Sequence, residues 1–335
     1  MKKILLDVFG GDVPSEVVKG GVDAIKELNG VKVVFVGNQS FISSELKKYK
    51  YDKTYAEVLH AESYITNDES PTMSIKREDA SMVVAFNALK SDADVLGLLS
   101  CGNTGALLSG GLFKIGRLKG IERPALTGLL PTGIDKKFTI ITDCGANVDC
   151  KPEYLLQFAI MADAYLRYAF NVKNPKIALL SNGTEDKKGN LLTKDAFELL
   201  KNSGLNFAGN VEARDIVSGN YDVFVTDGFV GNIALKGIEG AAKMVGKSLK
   251  NEIRSKLRYK LAAIFLKGAL NRLKEKMDYH ASGGAPLLGL QRIVVKSHGS
   301  ANAKAIKIAL LQIKKMADCD LIEKIKQGIS KTQCQ

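Results

Sequence analysis

Short apolar runs, each closed by a polar loop with glycine and followed by a stretch of helical period, recur along this chain. The run at 138–142 is the clearest case. It is too short for a helix of ordinary length. It leads through Asp143-Cys144-Gly145-Ala146-Asn147-Val148-Asp149 to Pro152, which suits a first helical turn, and then to apolar residues at helical spacing over 154–168. Strands that alternate with helices need crossover connections, so they form a mainly parallel open sheet wrapped by helices, an α/β fold of three layers. In such sheets ligands bind at the carboxyl ends of the strands.

The same pattern predicts strands at 3–8, 31–36, 94–100, 176–180, 221–226 and 292–296. Helices are expected at 14–28, at 75–89 with Lys76 and Arg77 in its first turn, from the 101–106 loop to 117, at 192–200, after Asn232, and after Ser297-His298-Gly299-Ser300. No internal repeat, low-complexity tract or linker interrupts the series, so residues 1–335 read as one domain.

Cysteine usage narrows the class. Cys101, Cys144, Cys150, Cys319 and Cys334 form no CxxC pair, and no two histidines have metal-ligand spacing. This reads as reduced thiols in a cytosolic protein, with neither metal nor cofactor. The apolar run at the N-terminus is too short for a signal peptide, and no run of about 18 apolar residues is present to span a bilayer. The formal net charge is +12, but residues 243–276 hold eleven lysines and arginines against Glu252 and Glu275, a local excess of +9. The rest is close to neutral, which argues against a nucleic-acid groove spread over the fold.

The strand-end loops carry the candidate chemistry. Asn103, Thr104 and Gly105 open a helix, where free N–H groups and the positive dipole end suit an anion; an ordinary N-cap reads equally well. Neither GxGxxG nor GxxxxGK[ST] is present. Lys187 and Lys188 lie between Gly183 and Gly189, placed for a phosphate or for solvent. Asp227 to Asn232 offers an amide at a helix start, as a donor or as a cap. His298 stands between a strand and a helix, as a donor, a base or a structural residue. No Ser-His-Asp order or GxSxG elbow appears.

A helical stripe runs through Leu249, Ile253, Leu257 and Leu261, then Leu266, Leu270, Leu273 and Met277. Within it, 261–266 is uninterrupted apolar sequence that includes Ile264, Phe265 and Leu266, with Arg254, Lys256, Arg258 and Lys260 just before. A basic amphipathic hairpin over 247–278 with this apolar tip is expected to dock on an anionic membrane surface; dimer packing is the other reading.

These loops together resemble those of the bacterial phosphate acyltransferases, in family order over nearly the whole chain. The matching stretches are Gly102-Asn103-Thr104-Gly105-Ala106, Gly145-Ala146-Asn147-Val148-Asp149 with Lys151-Pro152-Glu153, Glu185-Asp186-Lys187-Lys188-Gly189-Asn190, Gly209-Asn210-Val211-Glu212-Ala213-Arg214-Asp215, Thr226-Asp227-Gly228-Phe229 with Gly231-Asn232, and Gly283-Gly284-Ala285-Pro286-Leu287-Leu288-Gly289. Val8-Phe9, Ala80-Ser81-Met82 and Ala301-Asn302 depart from the family's usual residues. The resemblance implies a fold similar to phosphotransacetylases and isocitrate-type dehydrogenases. It also implies transfer of a fatty acyl group from acyl carrier protein to inorganic phosphate, for phospholipid synthesis, by a homodimer; with the docking hairpin, the expected location is the cytoplasm, at the inner face of the membrane. Lys188, Asn232 and His298 are then the expected catalytic residues. Asn103, Thr104, Gly105, Asp143, Asn147, Asp149 and Asp227 are the expected substrate-binding set, with Asp143, Asn147 and Asp149 ordering the loop around Lys188. A phosphotransacetylase-like use of acyl-CoA, and a non-enzymatic membrane or nucleic-acid binding protein, are the alternatives.

Overall fold

A computed structural model describes residues 1–134, 137–277 and 283–333. Among the described residues eleven strands form one sheet: β1 (Lys3–Asp7), β2 (Lys32–Gly37), β3 (Ala56–His60), β4 (Val95–Ser100), β5 (Ala125–Pro131), β6 (Phe138–Thr142), β7 (Ile177–Leu180), β8 (Phe207–Val211), β9 (Val223–Val225), β10 (Ala285–Leu288) and β11 (Ile293–Lys296). Their order across the sheet is β3-β2-β1-β4-β11-β10-β5-β6-β9-β7-β8. The mainly parallel, open sheet is as expected. Its antiparallel pairs are confined to the middle, where β10 meets β11 and β5, and β5 meets β6.

Both faces are covered, which is why the central strands read as unbroken apolar runs. Ile4 and Leu6 of β1 join one core cluster, while Leu5 between them joins the other. On the first face lie α1 (Pro14–Ile25), α6 (Pro152–Ala164), α7 (Leu191–Lys201), α10 (Ala303–Asp318) and α11 (Leu321–Gln333). On the second lie α4 (Ser81–Ser91) and α5 (Thr104–Gly110), with the start of α8 (Gly228–Ser255) over the far half. Two shorter helices, α2 (Gln39–Leu46) and α3 (Pro71–Ser74), and α9 (Leu257–Met277) complete the set.

Several boundaries differ from expectation. The helix expected from Ile75 begins at Ser81, so Lys76 and Arg77 precede it. Arg77 instead ties the preceding turns together, donating to Glu69 at 2.8 Å and to Ser63 Oγ at 2.6 Å. Strands β3, β5, β8 and β10 have no counterpart among the expected ones. The last helix starts only at Ala303, capped by Asn302, and is followed by a separate α11 after Asp320, whose φ is +49°. The expected apolar tip at 261–266 lies inside α9, and the helical path breaks at Lys256, which is extended. Leu273 of α9 shares a hollow with Ala241 and Val245 of α8, so α9 folds back along α8. Cys101, Cys144, Cys150 and Cys319 are free thiols, and Cys334 lies outside the described residues.

Close approach of α1 and α10 depends on Gly20. A methyl group there would stand 2.5 Å from Ile306 Cβ and 2.6 Å from the Ala303 carbonyl oxygen. Backbone cannot yield as a flexible side chain can. Overpacking costs about 1–3 kcal/mol, against a helix-propensity gain of about 1 kcal/mol for alanine over glycine. At the end of β1, buried Asp7 accepts hydrogen bonds from Ser81 Oγ and Ser100 Oγ, each at 2.7 Å, which ties β1 to α4 and β4. Burial pushes its carboxyl up to about 6, against the pull of those hydroxyls and of Lys296. A raised carboxyl pKa means that the folded state holds the proton more tightly than the unfolded chain. Stability from this group is therefore full below about pH 4 and lost as pH rises through about 6.

Two outcomes follow. In urea titrations Gly20→Ala lowers the unfolding free energy, by up to about 2 kcal/mol after the propensity gain. The stability of Asp7→Asn relative to wild type rises between about pH 4 and pH 7 and is level above that; a flat difference across this window removes the assignment.

Candidate active site

The organising loop follows β6. Asp143, joined to Thr142 by a cis peptide bond, is fully buried. Its carboxylate accepts from the backbone N–H groups of Leu126 (3.0 Å), Gly145 (3.2 Å), Ala146 (3.0 Å) and Asn147 (2.6 Å), and from the Asn147 side-chain amide (2.9 Å). Burial pushes the carboxyl up, while these donors pull it back. The Asn147 amide also donates to Pro124 O at 2.8 Å, and the Asn147 carbonyl accepts the Gly228 N–H at 2.7 Å. Asp143 and Asn147 thus fasten the β6 loop to the start of β5 and to the first residue of α8. Gly231 completes the contact, since a Cβ there would lie 2.0 Å from the Asp143 carbonyl oxygen.

Asp227 caps α8 by accepting from Phe229 N at 3.0 Å and Val230 N at 2.9 Å. One turn on, Asn232 reaches a cavity of about 370 Å³ at the strand ends. Thr104, the first residue of α5, His298 and Gly145 share its lining, and Leu126 and Leu129 of β5 form an apolar wall. Thr104, Asn232 and His298, from three separate stretches of sequence, are therefore brought together. His298 Nδ1 accepts the Ser300 N–H at 3.2 Å, which puts the proton of the neutral ring on Nε2.

The remaining predicted residues stand elsewhere. Asn103 is the N-cap of α5: it accepts from Ala106 N at 3.0 Å, and its amide donates to the carbonyls of Thr66 (3.2 Å) and Asn67 (3.1 Å). Gly105 allows Pro71 to approach, since a Cβ would lie 2.6 Å from Pro71 Cγ. Asp149 is exposed. Lys188 is exposed on the 181–190 loop, its stem packed over Gly183. That loop borders a second hollow of about 440 Å³, where Ser181, Gly189 and Asn190 face Asp227, Val230 and Ile233. The first turns of α8 stand between the two hollows, with Asn232 on one side and Ile233 on the other.

Three charged residues of the first cavity escaped sequence reasoning. Lys296 ends β11, and its ammonium donates to Cys101 O at 3.1 Å and to Ser297 O. Burial lowers its pKa, opposed by Cys101 and Asp7. The one available signal was a lysine closing an apolar strand directly before Ser297-His298. Lys236 and buried Glu239, one turn and two turns beyond Asn232 on α8, pair at 2.9 Å. Their i,i+3 spacing looks like any solvated helix pair. Cys144 also lines the cavity, but burial pushes its thiol far above the range in which a thiolate forms. Among the described residues no three histidine, cysteine, aspartate or glutamate side chains group to hold a metal ion.

Known proteins resemble this chain over nearly its whole length. A family described as fatty acid synthesis protein matches residues 2–324. The phosphate acyltransferase of Dictyoglomus turgidum is 47% identical over 332 residues, covering 98% of each chain. That of Clostridium acetobutylicum is 46% identical over 329 residues, covering 97% of this chain and 98% of its own. A phosphotransacetylase structure from Streptococcus pyogenes superimposes with a TM-score of 0.62 at 20% identity, covering 95% of this chain and 94% of that one, which is a likeness of fold. Near-half identity sustained from end to end means that this chain belongs to the phosphate acyltransferase family.

Proposed function

We propose that the protein transfers a fatty acyl group from acyl-acyl carrier protein to inorganic phosphate, giving acyl phosphate for phospholipid synthesis. The observation that carries this reading is the meeting, in one cavity, of an apolar wall with the Lys296 ammonium, the Asn232 amide, the Thr104 hydroxyl and His298. A phosphate oxygen attacks the thioester carbonyl carbon, a tetrahedral oxyanion forms, and the C–S bond breaks to release the carrier thiol. Phosphate is partly a dianion near pH 7, its second pKa lying close to the value of about 6 for a phosphate monoester, and a thiol of pKa about 8.5 leaves readily. Positioning and charge stabilisation are then the main tasks, and no protein nucleophile is required.

Lys296, anchored by two carbonyl oxygens, opposes the phosphate charge, with Thr104 and the α5 N-terminus beside it. Asn232 and the Nε2–H of His298 donate to the oxyanion. Lys188 and Lys187, exposed at the edge of the second hollow, attract the anionic reactants and take phosphate on its way in. Asp143, Asn147 and Asp227 hold the loop and helix that aim Asn232. A phosphotransacetylase-like use of acyl-CoA is the competing reading; parallel assays with carrier-protein and CoA thioesters decide between them.

The reading extends to a homodimer that rests on the inner face of the cell membrane. Met244 (64% exposed) and Leu257 (73%) on α8 and α9 support pairing of two copies. Phe265 is 91% exposed, with Ile264 and Leu266 beside it and basic residues before it, which supports insertion into an anionic surface. No described helix is long and apolar enough to cross a membrane.

With acyl phosphate trapped as hydroxamate, Asn232→Ala and Lys296→Met each lower turnover roughly 10²–10³-fold. Lys188→Ala raises the KM for phosphate, and a near-normal KM and rate remove Lys188 from the reaction. Phe265→Asp weakens binding to anionic vesicles; equal binding by variant and wild type defeats the docking assignment.

A further inference from the structure

We propose that the groove continuing from the active-site cavity between β5 and α8 holds the acyl chain of the substrate, and that Ala242 and Val245 set the chain length accepted. This rests on the acyl-transfer reading above. A further hollow of about 580 Å³ meets the polar cavity at Leu130 and Glu239. β5 and α8 contribute a wall to each. Along α8 the lining advances turn by turn, from Asn232 at the polar end through Glu239 to Ala242 and Val245. Asn232 to Val245 is a rise of about 20 Å along the helix.

The chemistry changes at Glu239. Its carboxylate is paired with Lys236 at 2.9 Å, so its charge is neutralised at the junction. Before it lie the cation, amide and imidazole of the reaction centre. Beyond it, among the described residues, Thr132 is the one remaining polar side chain of the lining, and Val217 and Leu273 complete the walls. Small residues at Ala241 and Ala242 leave the space open. A thioester carbonyl held at Asn232 thus finds the apolar continuation for its chain along α8. Each methylene that leaves water there strengthens association about fourfold.

The test measures hydroxamate formation from butyryl, decanoyl and palmitoyl thioesters on one carrier, for wild type, Ala242→Trp and Val245→Trp, with sedimentation velocity on each protein. Ala242→Trp is expected to lower the palmitoyl-to-butyryl turnover ratio at least about tenfold, the loss of several buried methylenes. Val245→Trp stands farther from the reacting carbon, so it spares the decanoyl substrate that Ala242→Trp rejects. Val245 is 51% exposed, so its variant keeps the fold whatever the bulk at position 242 does. An unchanged ratio in Val245→Trp and Ala242→Trp overturns the inference, whether or not absolute rates fall. A change in molecular mass also overturns it and assigns the groove to a second copy of the chain. A wild-type protein that forms no acyl phosphate from any of the three overturns the acyl-transfer reading itself, and the groove assignment with it.

Discussion

A single buried carboxylate holds the site in shape. Asp143 gathers four backbone N–H groups and a side-chain amide around two oxygens, which fills its acceptor capacity of about four lone-pair sites. Ionised carboxylates are rarely buried without such company, because desolvation alone costs several kcal/mol. Here the donors come from β5, from the loop itself and, through the Asn147 carbonyl, from the head of α8. Removing the carboxylate would leave several donors without acceptors at once. The position of Asn232, and with it the geometry of the cavity, depends on this knot rather than on any direct contact with a reactant.

Much of the architecture was legible because burial on both faces writes unbroken apolar runs. β1, β2, β4 and β6 were all visible on that ground. The strands that went unseen lack the signal for separate reasons. β3 and β8 are the two outer strands, half-exposed, and read as Ala-Glu-Val-Leu-His and Phe-Ala-Gly-Asn-Val. β10 begins Ala-Pro, and proline argues against a central strand until a seam with little ladder bonding is known to exist there. Helix boundaries moved where polar networks, such as that of Arg77 with Glu69 and Ser63, outcompeted the helical repeat.

The site was legible in its loops and illegible in its elements. Thr104, Asn232 and His298 stood out because they follow strands and precede helices, and the fold does gather them. Asn103 and Asp227 carry the same loop signature, yet both use their side-chain oxygens to cap helices, as those residue types do at most helix starts. Lys296 and Glu239 carry no such mark. One is the last residue of an apolar strand, the other the middle of a long helix, and only packing reveals that both face the cavity. Charge inside a regular element is where local pattern is least informative, because its neighbours come from distant parts of the chain.

The position of β11 has a consequence for biosynthesis. It lies between β4 and β10, and pairs with β4 in parallel over Ile293 to Lys296. Until that segment leaves the ribosome, the growing chain presents β4 as a naked hydrogen-bonding edge beside an unfilled core. Edges of this kind recruit other strands, and long-range parallel pairing is slow to form. The nascent polypeptide therefore spends most of its emergence with its sheet split at the centre, and its two halves join only when the last strands arrive.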